Sequence, residues 1–249
     1  MFCRLSVVAV ACLVGLSLAQ SWPNPSSTKK VPSTIKVKKG QPYDGKNVRH
    51  TAGFGSGGQD EGQDPVFELD DGAVIKNVVL GAPAADGIHC KGSCSIENVW
   101  WEDVGEDAAT FLGSSGATYT VSGGGAKKAS DKVFQHNGGG TLTIRNFQVD
   151  TFGKLYRSCG NCKNNGSPRK VVIENVKATN GKALAGINAN YGDQATLRNV
   201  QVSSSVKEIC TTYTGNNNGK EPSQKAKYGP TQDGDGKYCV FKKSDIKRI

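Results

Sequence analysis

The chain has 249 residues, among them 32 Gly, 9 Pro and 8 Cys, and carries a formal net charge of +9 from 31 Lys and Arg against 22 Asp and Glu. Aromatic residues at 7% and charged residues at 21% exclude a low-hydrophobicity disordered chain and a coiled coil, and the lack of a Gly-X-Y period excludes collagen. The length suffices for a sizeable core, and the basic excess favours a polyanionic partner: nucleic acid, anionic lipid or an acidic polysaccharide.

The first residues narrow that choice. Residues 1–19 read as a secretory signal peptide. Arg4 supplies the positive start, the apolar stretch contains Val7, Val8, Val10, Leu13, Val14 and Leu16, and Ser17-Leu18-Ala19 offers small residues for cleavage. That stretch is short for a spanning helix and no other segment is long enough, so no membrane partner is expected. A secreted, extracellular chain meets an acidic polysaccharide rather than nucleic acid. Cys3 and Cys12 leave with the signal. The six that remain, Cys90, Cys94, Cys159, Cys162, Cys210 and Cys239, form an even set expected to make three disulfides in an oxidising compartment. Cys90/Cys94 and Cys159/Cys162 also have zinc-knuckle spacing, but only His89 stands near either pair. Nothing argues for oligomerisation, so a monomer is expected.

Residues 20–33 are Pro-, Ser- and Lys-rich and read as a flexible leader; the folded domain is expected over 34–249. A short pattern then recurs: an apolar residue, a variable one, Asn, and another apolar residue. Its copies are Ile75-Lys76-Asn77-Val78, Ile96-Glu97-Asn98-Val99, Ile144-Arg145-Asn146-Phe147, Ile173-Glu174-Asn175-Val176 and Leu197-Arg198-Asn199-Val200. The 48-residue gap between Asn98 and Asn146 leaves room for a degenerate copy at Tyr119-Thr120-Val121, and the Cys159 to Ser167 stretch reads as an inserted loop. A period of 21 to 24 residues with short β-branched segments predicts a solenoid, here an all-β parallel β-helix forming one domain. One coil cannot bury its inward face, whereas stacked coils share a continuous core. The Asn would sit at turns in the left-handed region and bond the coils above and below as a ladder. Gly81, Gly105, Gly153 and Gly181 are expected at bends between strands. Turn spacing also suits an antiparallel β-sandwich.

Two sets of side chains could carry chemistry. Asp86 and Glu106 lie 20 residues apart, about one coil, and Asp107 follows. Stacked about 4.8 Å apart they would repel, and a hard cation such as Ca²⁺ would explain them. A solvated acidic turn explains them as well. Lys132 and Lys154 are 22 apart, with Arg157 close behind; they could stack on the same wall or be ordinary solvated side chains. His89 and His136 are read as satisfied polar contacts, and of Trp100-Trp101 one is expected in the core and the other free to stack on sugar.

The runs Asp71-Gly-Ala-Val-Ile-Lys-Asn77, Gly81-Ala-Pro-Ala-Ala-Asp-Gly-Ile-His89, Asn98-Val-Trp-Trp-Glu-Asp-Val-Gly-Glu-Asp-Ala108, Asp131-Lys-Val-Phe-Gln-His-Asn-Gly-Gly-Gly140 and Phe152-Gly-Lys-Leu-Tyr-Arg-Ser-Cys-Gly-Asn-Cys162 resemble pectate lyases of polysaccharide lyase family 3. The resemblance covers roughly residues 34 to 210. It implies a right-handed parallel β-helix, Ca²⁺ as cofactor and β-elimination on polygalacturonate. It puts the metal ligands on Asp86, Glu106 and Asp107 and the catalytic and substrate-binding set on Lys132, Lys154 and Arg157. Lys132 is the expected base, its pKa lowered by Ca²⁺, the second Lys and the Arg. Arg157 is the rival, better suited by its fork to clamp a carboxylate. Two other functions compete. A polygalacturonase-like hydrolase would use the three acids as acid and base and leave the basic set idle. A non-catalytic binder would hold anionic wall polysaccharide by charge alone.

Overall fold

The computed structural model describes residues 21–165 and 167–249. The expected signal peptide at 1–19 lies outside the described residues. Nearly all of the regular secondary structure described is strand, wound into a parallel β-solenoid of about seven turns. The ladders between coils are parallel, which rules out the sandwich; the antiparallel exceptions are Glu208–Thr214 with Ser223–Tyr228 and a single bridge between Pro65 and Ala85.

Three walls repeat in each coil. The first wall contains the recurrent motif, and its inward residue forms a continuous stack. Ile75, Ile96, Val121, Ile144, Ile173 and Leu197 pair in sequence from coil to coil, and all are fully buried. Each such side chain contributes about 1.5–3 kcal/mol of burial. The motif's Asn then turns the corner. Asn77, Asn98, Asn146, Asn175 and Asn199 all have φ between 49° and 52°. Their amides bond along the axis: Asn98 to Asn77 at 2.8 Å, Asn175 to Asn146 at 3.3 Å, Asn199 to Asn175 at 2.6 Å. The expected degenerate copy is present, since Tyr119-Thr120-Val121 pairs with both neighbouring coils. Gly123, at φ 72°, takes the Asn place there and splits the ladder in two.

The corner between the second and third walls differs along the molecule. In the earlier coils it is a loop, at 53–64, 81–87 and 102–108. In the later coils it is a single left-handed residue: Lys128 (φ 60°), Thr151 (φ 55°) and Asn180 (φ 55°), stacked in register inside Thr118–His136, Gln148–Ser158 and Lys177–Asn188. Gly153 and Gly181 are therefore not the bends themselves. They follow the bends within the long strands, where a side chain would meet the Asp131 carbonyl or the Phe152 ring.

Part of the expected leader is ordered. Thr28–Val31 pairs with Arg49–Ala52, and Val31 is fully buried. Trp22 packs edge-on against Trp100 at 4.8 Å, under the Lys127 ammonium at 3.8 Å. Apolar contacts hold this segment despite its polar composition. They also cover Trp100, which is 2% exposed and bonds Asn98 through its indole N–H, so neither Trp100 nor the core residue Trp101 is free for sugar. The six cysteines pair as Cys90–Cys94, Cys159–Cys162 and Cys210–Cys239, which removes the zinc-knuckle alternative.

Replacing Asn175 by Ala removes two amide bonds and leaves in the left-handed region a residue without the polar side chain that eases that conformation. The expected loss is about 2–3 kcal/mol, some 4–12 °C in Tm. Asn175→Gly keeps the turn and should lose distinctly less in a thermal melt. Equal losses would mean that the turn conformation contributes nothing.

Candidate active site

Stacking alone assembles the site. Ile88, Ala109, Phe134 and Tyr156 are register partners on successive coils. Two residues before each stand Asp86, Asp107, Lys132 and Lys154, so two acids and two amines share one column. Lys132 and Lys154 are themselves paired. The expected partner of Asp86 was Glu106; in the structure Asp107 takes that register and Glu106 precedes it. Close approach of the two loops makes this possible. The Glu106 N–H donates to the Ala85 carbonyl at 3.0 Å, and a side chain at Gly105 would collide with that same carbonyl.

The three acids converge. Asp86, Glu106 and Asp107 are buried, each offering one carboxylate oxygen, and these oxygens lie within 4.8 Å of one another. His89 Nε2 stands 2.6 Å from Asp86 Oδ2 and leaves Asp86 Oδ1 buried without a hydrogen-bond partner. Asp107 Oδ1 also lacks one, its nearest cation being Lys132 Nζ at 3.6 Å. Burial first, then Asp86 and Asp107, push Glu106 up to about 9. Burial pushes Asp107 up to about 8, against the pull of Lys132. Crowded, dry carboxylates with unpartnered oxygens are the donor set of a hard divalent cation. The trio fits one.

The amines are held by an acid that the sequence pattern does not single out. Asp131 accepts from Lys132 Nζ at 2.9 Å and from Lys154 Nζ at 2.8 Å. Those two bonds outweigh burial and keep Asp131 below its ordinary value. Lys132 differs from its expectation. Burial pulls the amine down, but Asp107 and Asp131 together outweigh that, and the net shift is upward. Lys154 is itself tied to Asp131, and Arg157 lies in a different column. Arg157 pairs with Gln135, which pairs with Thr110 and through it with His89. It is 8% exposed, with its guanidinium 4.0 Å over the Tyr213 ring and Nη1 3.4 Å from Asn188 Oδ1. Burial lowers its pKa.

A cleft of about 240 Å³ collects the acids, Lys132, Gln135 and Asn137, with Glu61 of the 53–64 loop at its edge. Gln135 Oε1 and Asn137 Oδ1 are buried without partners. Lys154 and Arg157 do not line this cleft. Gln135, Asn137, Asp131 and Tyr213 escape sequence reasoning because none belongs to a repeating charge spacing. His136 is structural: it bonds Tyr156 Oη at 2.9 Å and the Gly139 carbonyl, and burial takes it down to about 4.

A family model described as pectate lyase matches residues 19–220. The chain belongs to the pectate lyase family. Pectate lyase E of Emericella nidulans is 49% identical over 224 residues, covering 89% of this chain and 85% of that protein. Pectate lyase H of the same organism is 47% identical over 204 residues, covering 81% of this chain and 76% of that protein. Among solved structures, the catalytic domain of pectate lyase PelI from Erwinia chrysanthemi superposes with a TM-score of 0.71 at 35% identity, covering 89% of this chain and 100% of that one. PelI in complex with tetragalacturonic acid superposes with a TM-score of 0.70 at 34% identity, covering 88% of this chain and 70% of that one.

The shifted acids make stability depend on pH and on divalent ions. Asp107 and Glu106 stay protonated in the folded chain where an unfolded chain would be ionised, above 3.8 and 4.5. Their contribution is whole at acid pH and is lost as pH rises through about 8 and about 9. Chelator-treated protein should therefore melt progressively lower from about pH 5 to about pH 9. Added Ca²⁺ should raise Tm most at the alkaline end, where the acids are ionised. Melting curves that coincide with and without the ion across this range would exclude a cation at the trio.

Proposed function

We propose that this chain is a secreted, Ca²⁺-dependent pectate lyase that cleaves polygalacturonate by β-elimination. The observation that supports this reading best is the shared column: of three buried carboxylates fit for a cation, Asp86 and Asp107 lie in line with an amine one coil beyond Asp107 that is 13% exposed. Disulfides are consistent with an oxidising, extracellular setting. A hydrolase would leave Lys132, Lys154 and Arg157 without a task.

Asp86, Glu106 and Asp107 would hold Ca²⁺. Bound there, the ion offsets the Asp107 charge that keeps Lys132 protonated and the charge that builds on the substrate carboxylate. Lys132, neutral when it acts, takes the proton at C5 of the uronate. The released pair forms the C4–C5 double bond, the C4–O4 bond breaks, and O4 leaves with a proton from water. Lys154, held by Asp131 and 34% exposed on its side chain, is placed to meet a uronate carboxylate. Arg157, with its fork held flat over Tyr213, suits a bidentate clamp on another. Its lowered pKa also keeps it as the rival base, though it stands outside the cleft that holds the acids.

Incubated with polygalacturonate and Ca²⁺, the protein should release unsaturated uronides, followed by ultraviolet absorbance, and chelator should stop the rise. Because Asp107 and Asp131 hold Lys132 charged, the rate should climb into the alkaline range. Lys132→Ala should lower kcat about 10²–10⁴-fold with the fold intact. Reducing ends without absorbance would indicate hydrolysis instead. Substantial turnover in Lys132→Ala would pass the role of base to Arg157.

A further inference from the structure

The corner between the second and third walls carries a groove of about 450 Å³. Its floor is apolar and smooth. Ala129 and Phe152 are 2% and 4% exposed, and the Phe152 ring lies where a side chain at position 181 would stand, so only Gly leaves the floor flat. Its rim is polar, formed where the tight bends at Lys128, Thr151 and Asn180 turn outward, with Ser205 on the next coil. A flat apolar strip edged by hydroxyl, amide and ammonium groups matches a pyranose ring, which offers an apolar face and a polar circumference.

Register joins this groove to the catalytic column. Ser130 and Gly153 line it and immediately precede Asp131-Lys132 and Lys154. Lys182, at its other side, immediately precedes Ala183, the register partner of Lys154. Lys182 is exposed and has no ion-pair partner among the described residues, whereas Lys128 is tied to Asp103 at 3.2 Å. One coil on from Lys154, the groove therefore carries an unneutralised ammonium.

We propose that this groove is a further saccharide subsite, holding a uronate beyond those at Lys132 and Lys154, with Lys182 recognising its carboxylate. The proposal rests on the pectate lyase reading for the identity of the ligand. The groove commits to an acidic sugar because its free charge is positive and because the residues that line it adjoin in sequence and register the column that would hold the neighbouring uronates.

The experiment compares galacturonate oligomers of increasing length on the full chain, wild type and Lys182→Glu, with Lys182→Arg as the conservative control. Lys182 is exposed, so the substitution removes no buried contact, and a thermal melt checks the fold. In the wild type KM should fall as the chain becomes long enough to enter the groove. Lys182→Glu should erase that gain, raising KM for long chains about tenfold with kcat nearly unchanged, and Lys182→Arg should restore it. Equal KM at every length in wild type and Lys182→Glu would overturn the subsite. Titration of the same oligomers under chelator reads binding without turnover and separates the two readings. Binding weakened by Lys182→Glu without any unsaturated product would keep the subsite and discard the lyase. Product with no change in binding or KM would keep the lyase and discard the subsite.

Discussion

The site depends on coil register. Parallel ladders pin Ile88, Ala109, Phe134 and Tyr156 over one another, and the four charged residues two positions earlier have no choice but to align. The next residues along, Ala108 and Val133, are fully buried in the core, so a slip of one residue would drive Asp107 or Lys132 into the apolar interior. Such a slip is opposed by the whole core stack, from Ile75 to Leu197. Order is thus bought far from the chemistry, and the charged column is its beneficiary.

That support is needed because the column is electrostatically unfavourable by itself. Three carboxylates share one dry corner, and two of their oxygens meet no donor. Among the described residues Lys132 faces them as a cation at 3.6 Å and the His89 ring as a hydrogen-bond partner at 2.6 Å. Asp131 then draws Lys132 and Lys154 to a single carboxylate. A flexible surface would relax such a cluster by turning side chains outward. The solenoid wall resists, since Gly105 lies against Ala85 and the Ala108 N–H is bonded to the Val133 carbonyl at 2.9 Å. Strain of this kind has a natural release in a bound cation, which is the physical ground for reading the trio as a metal site.

Much of this was legible in the sequence, because a solenoid repeats its structure with its spacing. The Asn motif revealed the first corner, its left-handed turn and its ladder, since one residue type serves one backbone need. The acids and lysines were legible for the same reason. The second corner was not: Lys128, Thr151 and Asn180 share a conformation but no chemistry, so no pattern marks them. Asp131 and Tyr213 were hidden because they act across coils on residues that only the ladder brings near. The carboxylates that hold Lys132 charged in the absence of an ion are not displayed by the spacing: only the ladder brings Asp107 near it, and Asp131, its neighbour in the chain, belongs to no repeat. The leader was misjudged because Val31 and Trp22 carry its attachment amid polar neighbours.

The changing corner also grades charge along the axis. Where the corner is a loop there is room for acids to fold inward, and Asp86, Glu106 and Asp107 do so. Where it tightens to one left-handed residue there is no such room, and the positions beside it point outward. Lys132 and Lys154 follow it there, and one register position earlier on the next coils stand Lys182 and, next to it by a backbone bond at 3.2 Å, Lys207. A polyanion lying along the corner would meet amines over several coils, and at one end only an acidic pocket whose charge a cation must cancel. Uniform positive charge would bind such a chain equally well at every shift. On the proposed reading the acidic end would break that degeneracy: of all the shifts along the corner, the one that brings a uronate beside Lys132 would be the one where a cation held by the trio could share it.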